Sequence, residues 1–138
     1  MSAETDVARQ WIVKARSDLL DVDNNLASRS VPCDTVCFHC QQAAEKMLKG
    51  ALAAKKVPPP RTHDLLLLLE LILPFFPSAE GLRDDLVILT PYSVVTRYPG
   101  DDGGIPSLAD ANEARQCAER VHAWLAAEMP EIEQEQAG

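Results

Sequence analysis

Apolar residues recur every three or four positions along most of this chain, the period of an α-helix buried on one side. The first such run covers residues 4–28, with Val7, Trp11, Ala15, Leu19, Val22 and Leu26 on one stripe. Lys14, Arg16, Asp18, Asp21 and Asp23 fall off that stripe and are expected to face water. Ser30, Val31 and Pro32 break the pattern, because proline has no N–H to donate and restricts the residue before it. The second run covers residues 35–55, with Asp34 or Thr35 available as a cap. Its stripe is Val36, His39, Cys40, Ala43, Ala44, Met47, Leu48, Ala51 and Leu52, apolar apart from His39. Gln41, Gln42, Glu45, Lys46 and Lys49 form its polar side, where Glu45 and Lys49 stand one turn apart in the favourable order. That side reads as a solvated face or as a polar surface for a partner.

Pro58, Pro59 and Pro60 end the second helix and form a stiff connector. Thr62 or Asp64 can cap a third helix that runs through Leu73, and residues 65–69 are apolar on all sides, as in a deeply buried helix. Pro74 and Pro77 close it. Residues 82–90 carry Leu82, Leu86, Val87 and Leu89 and predict a short helix; residues 92–98 are ambiguous, because Val94, Val95 and Thr96 are β-branched. Residues 99–104 read as a loop. Ser107 or Asp110 starts a last helix to about Met129, with Leu108, Ala111, Ala114, Ala118, Val121 and Leu125 on its stripe. The pattern predicts an all-α fold: an antiparallel four-helix up-and-down bundle with an additional short helix, one domain over residues 1–138. The ends, about residues 1–5 and 131–138, are expected to fray.

Composition narrows the function classes. A chain of 138 residues can bury one core. Its net charge of -8 repels phosphate backbones at long range, so general nucleic-acid binding is disfavoured. The most apolar stretch, residues 65–76, contains Glu70 and Pro74 and is too short to span a bilayer. No basic segment followed by an apolar run marks a signal peptide. Three of the four cysteines, Cys33, Cys37 and Cys40, are crowded together, with Cys117 apart. That is a poor framework for disulfides and points to reduced thiols in a cytoplasm.

Few residues offer chemistry. Cys37 and Cys40 can share a helical face, but His39 points about 100–200° away from them and no second ligand pair follows, so buried thiols are expected instead of a metal. A thiol nucleophile lacks a nearby base. No cofactor motif is present; the glycine-rich loop has no lysine after it and is not a phosphate-binding P-loop. His63 and Asp64 sit at a helix start, as a local hydrogen-bonding pair or as part of a site. Arg97 and Tyr98 precede the loop, where Arg97 can grip a phosphate or carboxylate or tie the loop down. Arg115 and His122 lie two turns apart on the last helix, a spacing that fits a catalytic pair or simply a solvated face.

Three stretches, in order, resemble the HEPN domain family, named for nucleotide binding in higher eukaryotes and prokaryotes. They are Cys37-Phe38-His39-Cys40-Gln41-Gln42-Ala43-Ala44-Glu45-Lys46-Met47-Leu48-Lys49, then Thr62-His63-Asp64-Leu65, then Thr96-Arg97-Tyr98-Pro99-Gly100. Trp11 and residues 15–19 also look like that family's first helix. The resemblance implies four long helices plus a short one, paired as a homodimer. It implies a minimal nucleotidyltransferase as partner, often in a toxin–antitoxin pair, and a nucleotide held near His63, Asp64, Arg97 and Tyr98. Other members of the family are metal-independent ribonucleases, with an arginine, usually a polar residue after it, and a histidine four to six residues on. Here Tyr98 follows Arg97 and no histidine is within reach. Arg115, Gln116 and His122 satisfy the spacing within one chain but lie mid-helix, later than that pattern expects. A non-catalytic binding module is therefore the expectation, and a ribonuclease using Arg115 and His122 the alternative.

Overall fold

A computed structural model describes residues 2–94 and 104–133. The described residues form helices and turns, with no strand. The helices are α1 (Ala3–Leu26), α2 (Cys33–Ala54), α3 (Leu65–Ile72), α4 (Arg83–Leu89), α5 (Leu108–Glu128) and α6 (Pro130–Glu133). Short 3-10 segments, Pro77–Leu82 and Thr90–Ser93, flank α4. The all-α expectation holds; among the described residues three helices are long and two, α3 and α4, are short. α1, α2 and α5 have 24, 22 and 21 residues, whereas α3 has eight and α4 seven. Pro74 and Pro77 interrupt the third rod, since neither can donate to a helix ladder.

The helix starts follow capping chemistry. Ser107 Oγ accepts from the Asp110 amide and Asp110 Oδ2 accepts from the Ser107 amide, a reciprocal box at the head of α5. Asp64 Oδ1 accepts from the amides of Leu66 and Leu67 and starts α3. α2 departs from expectation: it begins at Cys33, after Pro32, with no side-chain cap. It ends with Lys56 at φ 63, a left-handed position that glycine usually fills, closed by bonds from Lys56 N–H to Ala53 O and Val57 N–H to Leu52 O.

α2 is the central helix, packed by α1, α3, α4 and α5. α1 runs antiparallel to it: His39 meets Asp18, and farther along Gly50 lies against Ala8 and Ile12. Gly50 permits this close approach, because an added Cβ would sit 2.8 Å from Ile12 Cδ1 and 3.3 Å from the Ala8 carbonyl oxygen and would push the Ile12 side chain aside. The proline connector returns the chain along α2, so His63 lies beside Gln41 and Glu45. From Phe76 to Asp85 the chain then runs antiparallel along α5, with Phe76 against Trp124 and Asp85 against Arg120.

Burial corrects three expectations. On α1 the buried face is Ala8, Ile12, Ala15, Asp18 and Val22, so the seam is turned from the expected stripe and Val7 is exposed. On α2, every residue from Cys40 to Ala53 except Gln42 and Lys46 is buried, including Gln41, Glu45 and Lys49, so its polar side is not a solvated face. A helix covered on several sides has no water-facing stripe left for polar residues. On α3, Leu67 is exposed and Leu66 half-buried, so that helix is not enclosed all round. No helix among the described residues is long and apolar enough to cross a membrane.

Candidate functional site

Polar side chains gather at two places on the α1–α2–α3 side. Asp18, buried on α1, has Oδ1 2.8 Å from His39 Nδ1 and accepts at Oδ2 from Lys46 Nζ at 2.6 Å. His39 Nε2 also lies 3.2 Å from Asp21 Oδ2. Asp18 thus does not face water as its charge alone implied; two cation-forming groups from α2 compensate it. Deeper along α2, Glu45 Oε2 accepts from Lys49 Nζ at 3.0 Å, and Glu45 Oε1 lies 2.8 Å from His63 Nδ1. Gln41 Nε2 donates to Glu45 Oε1 and to the His63 carbonyl. Lys49 Nζ also stands 5.6 Å from the Trp11 ring centre, within cation–π range.

This network is complete in itself. Among the described residues every buried side-chain nitrogen and oxygen has a hydrogen-bond partner. Nothing is left aimed at an empty space, so its first role is to hold the His63 turn against α2. Of the predicted nucleotide residues, His63 has a side chain 68% exposed, and Asp64 spends Oδ1 on the α3 cap. Arg97 and Tyr98 lie outside the described residues.

Cys37, Cys40 and Cys117 are buried, and Cys33 is half-buried. Burial pushes Cys37 up from 9.0 to about 12, with the Asp110 carboxylate adding to the effect. Burial likewise lifts Cys40 to about 12 and Cys117 to about 11. Thiols held protonated are poor nucleophiles and poor metal ligands. Among the described residues no group of three or more His, Cys, Asp or Glu side chains is arranged to hold a metal ion.

On α5 the two candidate residues serve different partners. Arg115 Nε donates to Asp23 Oδ1 at 2.8 Å, and Arg115 Nη1 reaches Glu119 Oε1 at 2.6 Å. His122 Nε2 lies 2.8 Å from Glu133 Oε1, and the same oxygen accepts from Arg16 Nη2 at 3.2 Å. Glu133 belongs to α6, where fraying was expected; Ile132 is instead buried, and Arg9 donates from Nε and Nη2 to the Glu131 carbonyl.

The model of the HEPN domain family matches residues 8–129. The chain belongs to the HEPN family. This HEPN domain is also similar to the crystal structure of TT1696 from Thermus thermophilus, at 28% sequence identity and a TM-score of 0.71. The match covers 88% of this chain and 98% of that one. No curated protein matches it.

Within this HEPN domain the structure brings His63 and Asp64 to one turn and places Arg115 and His122 on the side of α5 that meets α1 and α6. Sequence reasoning missed Arg16, Asp18 and Glu133 as members of polar clusters. A signal for Glu133 existed: Leu125, Met129 and Ile132 continue the α5 stripe by steps of four and three across Pro130.

Proposed function

We propose that this HEPN domain is a non-catalytic binding module of the cytoplasm. It works as a homodimer, pairs with a minimal nucleotidyltransferase in a toxin–antitoxin arrangement, and holds a nucleotide against His63, Asp64, Arg97 and Tyr98. The observation that supports a non-catalytic role is the division of partners on α5. A metal-independent ribonuclease needs its arginine and histidine on one phosphodiester, one to stabilise charge and one to move a proton. Here Arg115 lies between Asp23 and Glu119, while His122 shares Glu133 with Arg16. Three carboxylates beside these groups, within a chain of net charge -8, repel an RNA backbone.

Exposed Val13 and Leu20 on α1, and Leu67 and Val87 on α3 and α4, offer apolar surface for pairing. Four unpaired thiols suit a reducing compartment. The test is a melting series with adenine nucleotides, joined to a pull-down from the native host. Binding raises the melting temperature as nucleotide is added, the rise is lost in His63→Ala, and the pull-down returns a nucleotidyltransferase. A flat melting temperature together with no such enzyme refutes the reading.

A further inference from the structure

α1 packs on α2 through one face and meets α6 at its edge, and its opposite face is open among the described residues. At about 100° per residue, Gln10, Val13, Ser17, Leu20 and Asn24 share one stripe down that open face, and all five are exposed. Val13 is 60% and Leu20 62% exposed. Apolar side chains scattered singly over a surface are ordinary, but two in line, two turns apart, with only a serine between them on the stripe, mark a contact face.

The stripe has the same order from either end: an amide, an aliphatic side chain, serine, an aliphatic side chain, an amide. Such a surface is complementary to its own antiparallel copy, as a two-fold interface requires. The charges beside it specify the same direction. Lys14, exposed on the flank away from α6, precedes Ser17, and Asp21 follows it. Asp21 touches His39 but keeps its side chain 51% exposed. Antiparallel copies set each Lys14 near the partner's Asp21, whereas parallel copies in register set like charges together. The flank beside α6 keeps the order, with Arg9 and Arg16 before Asp23.

We propose that two copies of this chain associate through the outer face of α1, antiparallel, about a two-fold axis at Ser17. Val13 packs on the partner's Leu20, Gln10 faces the partner's Asn24, and the small Ser17 side chain lets the two helices approach at the axis. A shallow hollow of about 230 Å³ beside the stripe, lined by Val7, Gln10, Trp11 and Lys14, receives the last turn of the partner helix. The occupant is the second copy that the proposed function requires, so the face rests on that reading; the α3–α4 surface around Leu67 and Val87 is its competitor.

The experiment is sedimentation equilibrium of the full chain. Val13→Ser with Leu20→Ser gives a monomer at concentrations where wild type is a dimer, with the helical circular dichroism kept. Leu67→Ser with Val87→Ser leaves the dimer intact. Lys14→Glu weakens association roughly tenfold, since two exposed attractions become repulsions, and adding Asp21→Lys recovers it to within about threefold. Direction is read by cross-linking on a Cys33→Ser background. Ser17→Cys joins two copies under mild oxidant, while Gln10→Cys, about 20 Å from its counterpart by the helical rise, does not. This arm stands alone should the serine variants lose their fold. A wild-type monomer overturns the face and the homodimer reading together. A dimer that survives Val13→Ser with Leu20→Ser overturns the face and leaves the homodimer reading standing. Cross-linking at both positions, or no recovery in the Lys14→Glu and Asp21→Lys pair, overturns the antiparallel arrangement.

Discussion

On α2, Glu45 and Lys49 have side chains 4% and 8% exposed; on α5, Arg115 and His122 are 35% and 34% exposed. The residue types are similar, yet burial assigns them different work. Charges out of water must be fully partnered, and Glu45 has Lys49, Gln41 and His63 around it. Such a group holds elements together and has nothing left for a ligand. Charges at the surface form pairs worth little, which water or a ligand can exchange. The contrast locates rigidity on α2 and exchangeable chemistry on α5 and α1.

The largest test of that contrast is Glu45→Ala. It strands the Lys49 ammonium in the core and releases His63, so unfolding free energy should fall by about 3–5 kcal/mol in urea titration. A loss below about 1 kcal/mol would mean that the network is not structural.

Alkaline pH probes the same buried helix through its thiols. Unfolded thiols ionise near 9.0, whereas folded Cys37 and Cys40 keep their protons to about 12 and Cys117 to about 11. Between those limits the unfolded chain binds fewer protons than the folded one, so stability falls as pH rises. Their contribution is whole below pH 9 and is lost progressively above it. Urea midpoints at about pH 8 and about pH 10.5 should differ in that direction, and less so in Cys37→Ala.

Asp64→Ala removes the cap of α3 and should lower stability by about 1 kcal/mol, read by thermal or urea melting. A larger loss would place Asp64 in a network beyond its cap. Arg115→Ala sits at the small end. Its partners are surface acids, so stability should change by less than about 0.5 kcal/mol.

The helical period made α2 and α5 legible in the sequence, and capping chemistry marked Ser107 and Asp64. What stayed hidden depends on contacts between distant residues. Asp18 and His39 are 21 positions apart, and Glu45 and His63 are 18 apart. No periodicity tells that a charged residue will find its counter-charge across a seam, so both carboxylates read as solvated. The break at Pro74 and Pro77 and the bounds of α3 and α4 were legible, to within a residue or two, from the cap at Asp64, the prolines and the apolar spacing of residues 82–90. At the site, His63 and the α5 pair were found from motif and spacing. Arg16 and Glu133 were not, because each gains meaning only when α6 folds back onto α1.

The central claim is that Arg115 and His122 do not act together on RNA. Its most direct measurement is incubation of the purified protein with RNA in a chelator, beside His122→Ala. The account predicts that wild type cleaves no faster than the variant. Cleavage by wild type that disappears in His122→Ala would contradict it.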